Sequence, residues 1–145
     1  MRFVIQRVKG STLRVDEKIV SQIKHGLNVF CGVCETDDGK NIEKIANKLV
    51  NLRIFEDENE KLNLSVKDVG GEMLLVSNFT LCTVPHSGNR PSFILSADKD
   101  KANKYYLRLA DEIKKLGVNV QLGVFGADMQ IETHLDGPIN IYKEF

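Results

Sequence analysis

Glu72-Met73-Leu74-Leu75-Val76-Ser77-Asn78-Phe79-Thr80-Leu81 sets four apolar side chains in a row and then turns polar. An apolar run this short, led in by Asp68-Val69-Gly70-Gly71, reads as a buried strand rather than a helix. A second such run, Leu27 to Val33, lies upstream. Before it, Arg2 to Val8 alternates, with Phe3, Ile5 and Arg7 on one face. Leu13 to Val15 and Ile19 to Ile23 flank Asp16-Glu17-Lys18 as a hairpin. Thr36-Asp37-Asp38-Gly39 reads as a turn with capping residues, and Ile42, Ile45, Ala46, Leu49 and Leu52 then recur at helical spacing. Arg53 to Phe55 reads as a short strand, Glu56 to Lys61 as a charged turn, and Pro85 to Pro91 as a loop. Ser96 or Asp98 caps a second helix, whose apolar stripe includes Ala102, Tyr105, Tyr106, Leu109, Ile113 and Leu116. Its lysines and arginines read as a solvated face. Val118 to Val124, Asp128 to Leu135 and Ile139 to Tyr142 read as three late strands. Many strands with two main helices predict an α+β protein, its mixed sheet curled toward a barrel and covered by the helices.

With 145 residues and no linker or repeat, the chain reads as one domain, residues 1–145. Hydrophobic residues make up 42% and charged residues 28%, which excludes disorder and coiled coil as whole-chain classes. Twenty basic and twenty acidic side chains cancel, so the chain lacks the electrostatic footprint of a protein that grips a long nucleic-acid backbone. Contact with the end of an RNA stays open. The apolar runs are too short to span a bilayer, and Met1 to Val8 has no signal-peptide core, so a cytoplasmic location without a membrane is expected. Cys31 and Cys34 have redox spacing, but they close a strand, where residues three apart face opposite ways. They read as buried thiols, with redox chemistry as the rival. His25, His86 and His134 are scattered, so no metal is expected.

Three places invite chemistry. Ser77 to Leu81 bunches two hydroxyls and an amide where a buried strand ends. That pattern lines a site or satisfies nearby backbone. Asp136-Gly137-Pro138 is a hairpin turn or a cis X-Pro bond whose aligned carbonyls would receive an ammonium. Gly126 to Gln130 is a bulge, with Met129 as core filler, or a third place for a site. Arg7, on an apolar face, calls for a carbonyl or carboxylate partner.

Along essentially its whole length the chain resembles the D-aminoacyl-tRNA deacylase (D-Tyr-tRNA deacylase) family. The resemblance rests on Met1-Arg2-Phe3-Val4-Ile5-Gln6-Arg7-Val8, on Val50 to Asp57 and Lys67 to Glu72, and on Arg90-Pro91-Ser92-Phe93 and Phe125 to Met129. The family signatures S-Q-F-T-L and G-P-V-T appear as Ser77-Asn78-Phe79-Thr80-Leu81 and Gly137-Pro138-Ile139-Asn140. Asn78 stands where the family has Gln, and Asn140 where it has Thr.

The resemblance implies hydrolysis of the ester between a D-amino acid and the terminal ribose of tRNA, with mischarged glycyl-tRNA as a further substrate. Such an enzyme would be a cytoplasmic chirality proofreader of translation. It implies no cofactor and no metal. It also implies a homodimer in which Gly137-Pro138 enters the partner's pocket. Thr80 and Asn78 are the implied catalytic residues. Ser77, Phe79 and Met129 line the pocket, Gly137 and Pro138 meet the amino group, and Arg7 orients their loop. The chemistry has two forms: Thr80 attacks, or the substrate 2′-hydroxyl drives the reaction while backbone N–H groups near Phe79 and Thr80 serve as oxyanion donors. The absence of a base beside Thr80 favours the second. A redox protein using Cys31 and Cys34, and a catalytically silent aminoacyl-tRNA-binding homologue, are the alternatives.

Overall fold

A computed structural model describes residues 1–84 and 89–145, so part of the expected Pro85–Pro91 loop lies outside the described residues. β1 (Arg2–Val15) is a single long strand. Its far half forms the expected hairpin with β2 (Lys18–Ile23), and Val15 faces Lys18. Asp16 and Glu17 take φ of 49° and 63°, the left-handed turn that matches strand twist. The near half of β1 pairs antiparallel with β3 (Gly26–Gly32). β3 then runs parallel to β6 (Glu72–Ser77), and β6 parallel to β7 (Asn119–Leu122). Parallel neighbours need crossovers, and α1 (Ile42–Val50) and α2 (Lys99–Lys115) lie in them. β8 (Gln130–Glu144) covers the other edge of β1 along its whole length. The Ser21 hydroxyl donates to the Leu122 carbonyl and draws β2 toward β7, so the sheet nearly closes into a barrel.

Alternation sorts the side chains into two layers. Met73 and Leu75 of β6 join Phe3, Ile5, Leu27 and Val29 beneath Ile42, Leu49, Tyr106, Leu109 and Ile113 of the helices. Leu74 and Val76 point the other way, with Val8, Leu13 and Ile23, into the barrel. β3 and β6 approach closely at Gly26, where a Cβ would stand 1.9 Å from the Glu72 carbonyl oxygen. No residue but glycine fits there.

The structure corrects several expectations. The residues 36–39 do not cap α1: its N-cap is Asn41, which makes no side-chain cap bond. Asp37 instead accepts from the Cys34 N–H (2.7 Å) and the Met1 ammonium (2.6 Å). Leu52 falls beyond the helix. Asp98 does cap α2, accepting from the Lys101 N–H at 2.9 Å. The short strand is β4 (Phe55–Glu56), not Arg53 to Phe55, and it pairs with an unforeseen β5 (Leu62–Leu64) too polar to signal itself.

The late strands number two rather than three. Gly137-Pro138 is not a hairpin, because residues on both sides of it pair with β1 in one direction. Gln6 faces Asn140 and Val8 faces Leu135, so 136–139 stand opposite Arg7 alone and leave the ladder. The Gly137–Pro138 bond is cis. Gly137 has φ of 117°, and a Cβ there would lie 2.9 Å from Ile139 Cγ1, which reserves the position for glycine. Among the described residues no helix is long and apolar enough to cross a membrane.

Candidate active site

Where β6 runs out, its polar tail folds into a single 3-10 turn, Phe79–Cys82, capped by Asn78. The Asn78 side-chain oxygen accepts from the Thr80 N–H at 3.1 Å and from the Thr80 hydroxyl. Nearly every carbonyl of the turn is tied down. Asn78 O accepts from the Leu81 N–H at 3.3 Å, and Phe79 O from the Ser96 hydroxyl at 3.0 Å. Thr80 O accepts from the Thr83 hydroxyl. One Arg2 nitrogen, Nη1, reaches both Leu81 O (3.2 Å) and Thr83 O (3.0 Å). Among the described residues the Phe79 N–H has no acceptor, since only the residues after it are served by the cap.

This turn forms one lip of a cleft of about 640 Å³. Ser77, Asn78 and Phe79 line it on one side, and Phe125 and Met129 on the other. Val76, Tyr106 and Ala102 supply apolar wall, and among the described residues Lys99 is its sole cationic lining residue. An apolar cavity with a few convergent polar groups is the usual form of a small-ligand site. Tyr106 is a structural member: its hydroxyl donates to Leu75 O at 2.7 Å, and burial holds it protonated well above the usual range. Phe79 is 60% exposed and packs edge-on against Phe93 at 5.1 Å, so an aromatic face is presented at the mouth.

The residues singled out in the sequence divide into two groups. Ser77, Asn78, Phe79 and Met129 meet at the cleft, whereas Thr80 sits on the outer side of the turn and is not among the lining residues. The Thr80 N–H is engaged by the Asn78 side chain. Arg7, Gly137 and Pro138 lie elsewhere. Arg7 pairs with Leu27, and Leu27 with Met73, four residues before Ser77. The Gly-Pro bulge is therefore about 13 Å along the strands and about 14 Å across them from the cleft of the same chain.

Arg7 is 6% exposed and finds both kinds of partner expected of it. Its Nη1 donates to Ile54 O at 3.0 Å, and its Nε stands 3.0 Å from Oδ2 of Asp136, off-line for a hydrogen bond but close as an ion pair. Asp136 adjoins Gly137, so this pair fixes the base of the bulge. Lys99, Phe30, Tyr106 and Phe125 were missed as site residues, because each matches the ordinary pattern of a strand interior, a helix face or a loop. Among the described residues no three His, Cys, Asp or Glu side chains cluster as metal ligands do.

The cysteines are all buried and unbridged. Burial pushes the Cys31 thiol far up, and burial followed by a hydrogen bond to Cys34 pushes Cys82 up to about 12. Neither is a thiolate nucleophile at neutral pH.

Residues 4–144 match the family model described as D-Tyr-tRNA(Tyr) deacylase. The chain is 48% identical over 141 residues to the D-aminoacyl-tRNA deacylase of Clostridium acetobutylicum, covering 97% of this chain and 95% of that protein. Identity and coverage are the same for the D-aminoacyl-tRNA deacylase of Aquifex aeolicus. Among solved structures, a c-Myc DNA unwinding element binding protein superposes with a TM-score of 0.94 at 35% identity, covering 100% of this chain and 99% of that one. A probable eukaryotic D-amino acid tRNA deacylase shares the fold, with a TM-score of 0.84 at 16% identity over 98% of this chain and 97% of that one.

The buried thiols should resist alkylation. Native protein treated with iodoacetamide at pH 8 is expected to stay unlabelled until guanidinium unfolds it. Fast labelling of Cys31 or Cys34 in the folded state would favour thiol chemistry instead.

Proposed function

The chain belongs to the D-Tyr-tRNA(Tyr) deacylase family and is a hydrolase of D-aminoacyl-tRNA; from that premise we propose how its cleft performs the reaction and on which esters. The observation that carries the proposal is the free Phe79 N–H at the lip of an apolar cleft, beside an exposed aromatic ring. In this reading the terminal adenosine enters between Phe79 and Met129, and Ser77 helps seat the ester. The Phe79 N–H faces the oxygen that gains charge as the ester carbon becomes tetrahedral.

Thr80 is a weak candidate for nucleophile. Its hydroxyl proton is engaged by an amide oxygen, which is no base. The ribose 2′-hydroxyl of the substrate lies next to the ester and activates the attacking water, whose oxygen bonds the ester carbon while the ribose 3′-oxygen leaves with a proton. The protein contributes position and one oxyanion donor. Asn78 then acts through the turn: it holds Thr80 and leaves Phe79 as the donor.

The amino group needs a receptor, and the cleft of one chain offers no carboxylate among its lining residues. The exposed Gly137-Pro138 bulge, braced by Arg7 and Asp136, offers carbonyls. It is too far from its own cleft, so a second copy must provide it, in a two-fold dimer. With the ammonium on the partner's Gly-Pro carbonyls and the ester on the turn, two substituents of Cα are fixed. A D side chain points out to solvent, and an L side chain meets the Gly-Pro backbone. Glycine has nothing to exclude. The physiological reading is chirality proofreading in the cytoplasm, with glycyl-tRNA as a second substrate.

Purified protein is expected to deacylate D-Tyr-tRNA and Gly-tRNA, with L-Tyr-tRNA slower by at least about a hundredfold. Equal rates on L- and D-Tyr-tRNA, or refusal of Gly-tRNA, would contradict the exclusion mechanism. Thr80→Ala should keep activity within about tenfold of the parent, whereas losing a nucleophile costs about a millionfold. D-Tyr-tRNA ending in 2′-deoxyadenosine should be nearly inert, and full activity on it would remove the substrate hydroxyl from the mechanism.

A further inference from the structure

A second concavity, of about 320 Å³, lies between the end of α1 and the last turn of the chain. Ile5, Leu49 and Phe145 are part of its apolar lining, and Lys48, Arg53 and Lys143 stand around it. No carboxylate lines it, and among the described residues none of the three cations forms an ion pair. In a chain with equal numbers of acids and bases, three unpaired cations around one apolar groove are a segregation of charge.

The cations are also held. The Lys48 ammonium sits 5.0 Å over the Phe145 ring, an attraction that keeps its charge at the groove. Arg53 donates Nε to Asn63 O at 2.9 Å, which fixes its guanidinium at the groove and within electrostatic reach of Asp57 and Asp68. The neighbouring carboxylate, Glu144, is already engaged by Arg2 (3.3 Å) and by the Tyr142 hydroxyl (3.0 Å).

The sheet register places this groove relative to the cleft. Lys143 faces Phe3, Phe3 faces Cys31, and Cys31 faces Ser77. Lys143 and Ser77 are thus in one row across four strands, about 14 Å apart at the usual strand spacing. Phe3 and Cys31 are buried in that row, so a strand passing over the surface needs at least this span, or at least about four steps of stacked nucleic acid at about 3.4 Å each. Arg2, one residue before this row, braces the turn at Leu81 and Thr83.

We propose that the groove bounded by Lys48, Arg53 and Lys143 binds phosphates of the single-stranded RNA tail whose terminal aminoacyl-adenosine occupies the cleft. The proposal rests on the substrate reading above and extends it: the cleft takes the reacting end, and the groove takes the backbone a few nucleotides upstream. The contact is electrostatic and reads no sequence, so it serves every tRNA alike. It needs no large positive surface, and so it fits a neutral chain.

The test uses the full chain and two substrates. One is a CCA-ended RNA minihelix, bound uncharged and followed by fluorescence anisotropy, then charged with D-Tyr for kinetics. The other is 3′-D-tyrosyl-adenosine, which has no upstream phosphate. The Lys48→Gln/Lys143→Glu variant is expected to bind the minihelix at least about tenfold more weakly and to lose about 1.4 units of its log–log salt slope, about 0.7 for each single-strand phosphate contact. KM for the charged minihelix should rise while kcat, and turnover of the adenosine ester, stay as in the parent. Lys48→Arg/Lys143→Arg should retain binding, and Lys18→Glu, a charge reversal outside the groove, should have no effect. Unchanged minihelix binding in the charge-reversed variant overturns the proposal. Equal loss on both substrates overturns it too, since the groove would then serve the chemistry rather than the tail. If the parent protein cleaves neither ester yet binds the minihelix through the groove, the substrate reading falls and the groove stands.

Discussion

Four residues of β8, Asp136 to Ile139, stand opposite Arg7 of β1, and the surplus has to leave the sheet. The ladder is antiparallel on both sides, and a smaller shift follows at Lys9, where β1 carries one extra residue between Val8 and Gly10. The ion pair between Arg7 Nε and Asp136 Oδ2 anchors the point where the chain leaves. A buried guanidinium is costly unless partnered, and here Ile54 O and Asp136 share that role. The consequence is a short backbone projection, rich in carbonyls and exposed, on a face remote from the protein's own cleft. Much of the functional account follows from that misplacement.

The cleft depends on a different local conflict. β6 must be apolar to cross between two packed layers, and its tail must turn polar to end there. Asn78 resolves the change by capping the turn with its side chain, and the cap takes up Thr80. What remains free, among the described residues, is the Phe79 N–H, a fixed dipole at the edge of an apolar space. Among the described residues that line it there is no histidine and no carboxylate. A site built this way suits a substrate that brings its own hydroxyl, and it explains why the catalytic burden falls on geometry.

The strands Leu27–Val33 and Glu72–Val76, the α2 stripe and its Asp98 cap were legible because burial imposes a period on sequence. Ser77 and Phe79 were legible where the strand pattern turns polar, whereas Met129 joined them only through the family resemblance, since in the pattern it reads as core filler. The single continuous β8 was not legible, since Gly137-Pro138 carries the same local signal whether it ends a strand or bulges from one. Lys99 at the cleft and the three cations of the second groove were hidden for another reason. Charge on a helix or at a strand end looks solvated in one dimension, and only the fold shows which acids are near. β5 was missed because Leu62-Asn63-Leu64 is too short for a pattern. The separation of Gly137 from Ser77 is purely tertiary, and it turns an implied dimer into a geometric requirement of the proposed mechanism.

That requirement is open to direct measurement by subunit mixing. One variant would carry a cleft blocked at Met129 by Met129→Trp, with its Gly-Pro bulge intact. The other would carry Gly137→Val, which spoils the bulge and leaves the cleft. Each alone is expected to be inactive on D-Tyr-tRNA. Equal mixing and exchange gives half mixed dimers, each with one complete site, so about a quarter of the parental activity should return. No recovery in a mixture whose subunits demonstrably exchange would contradict the shared site.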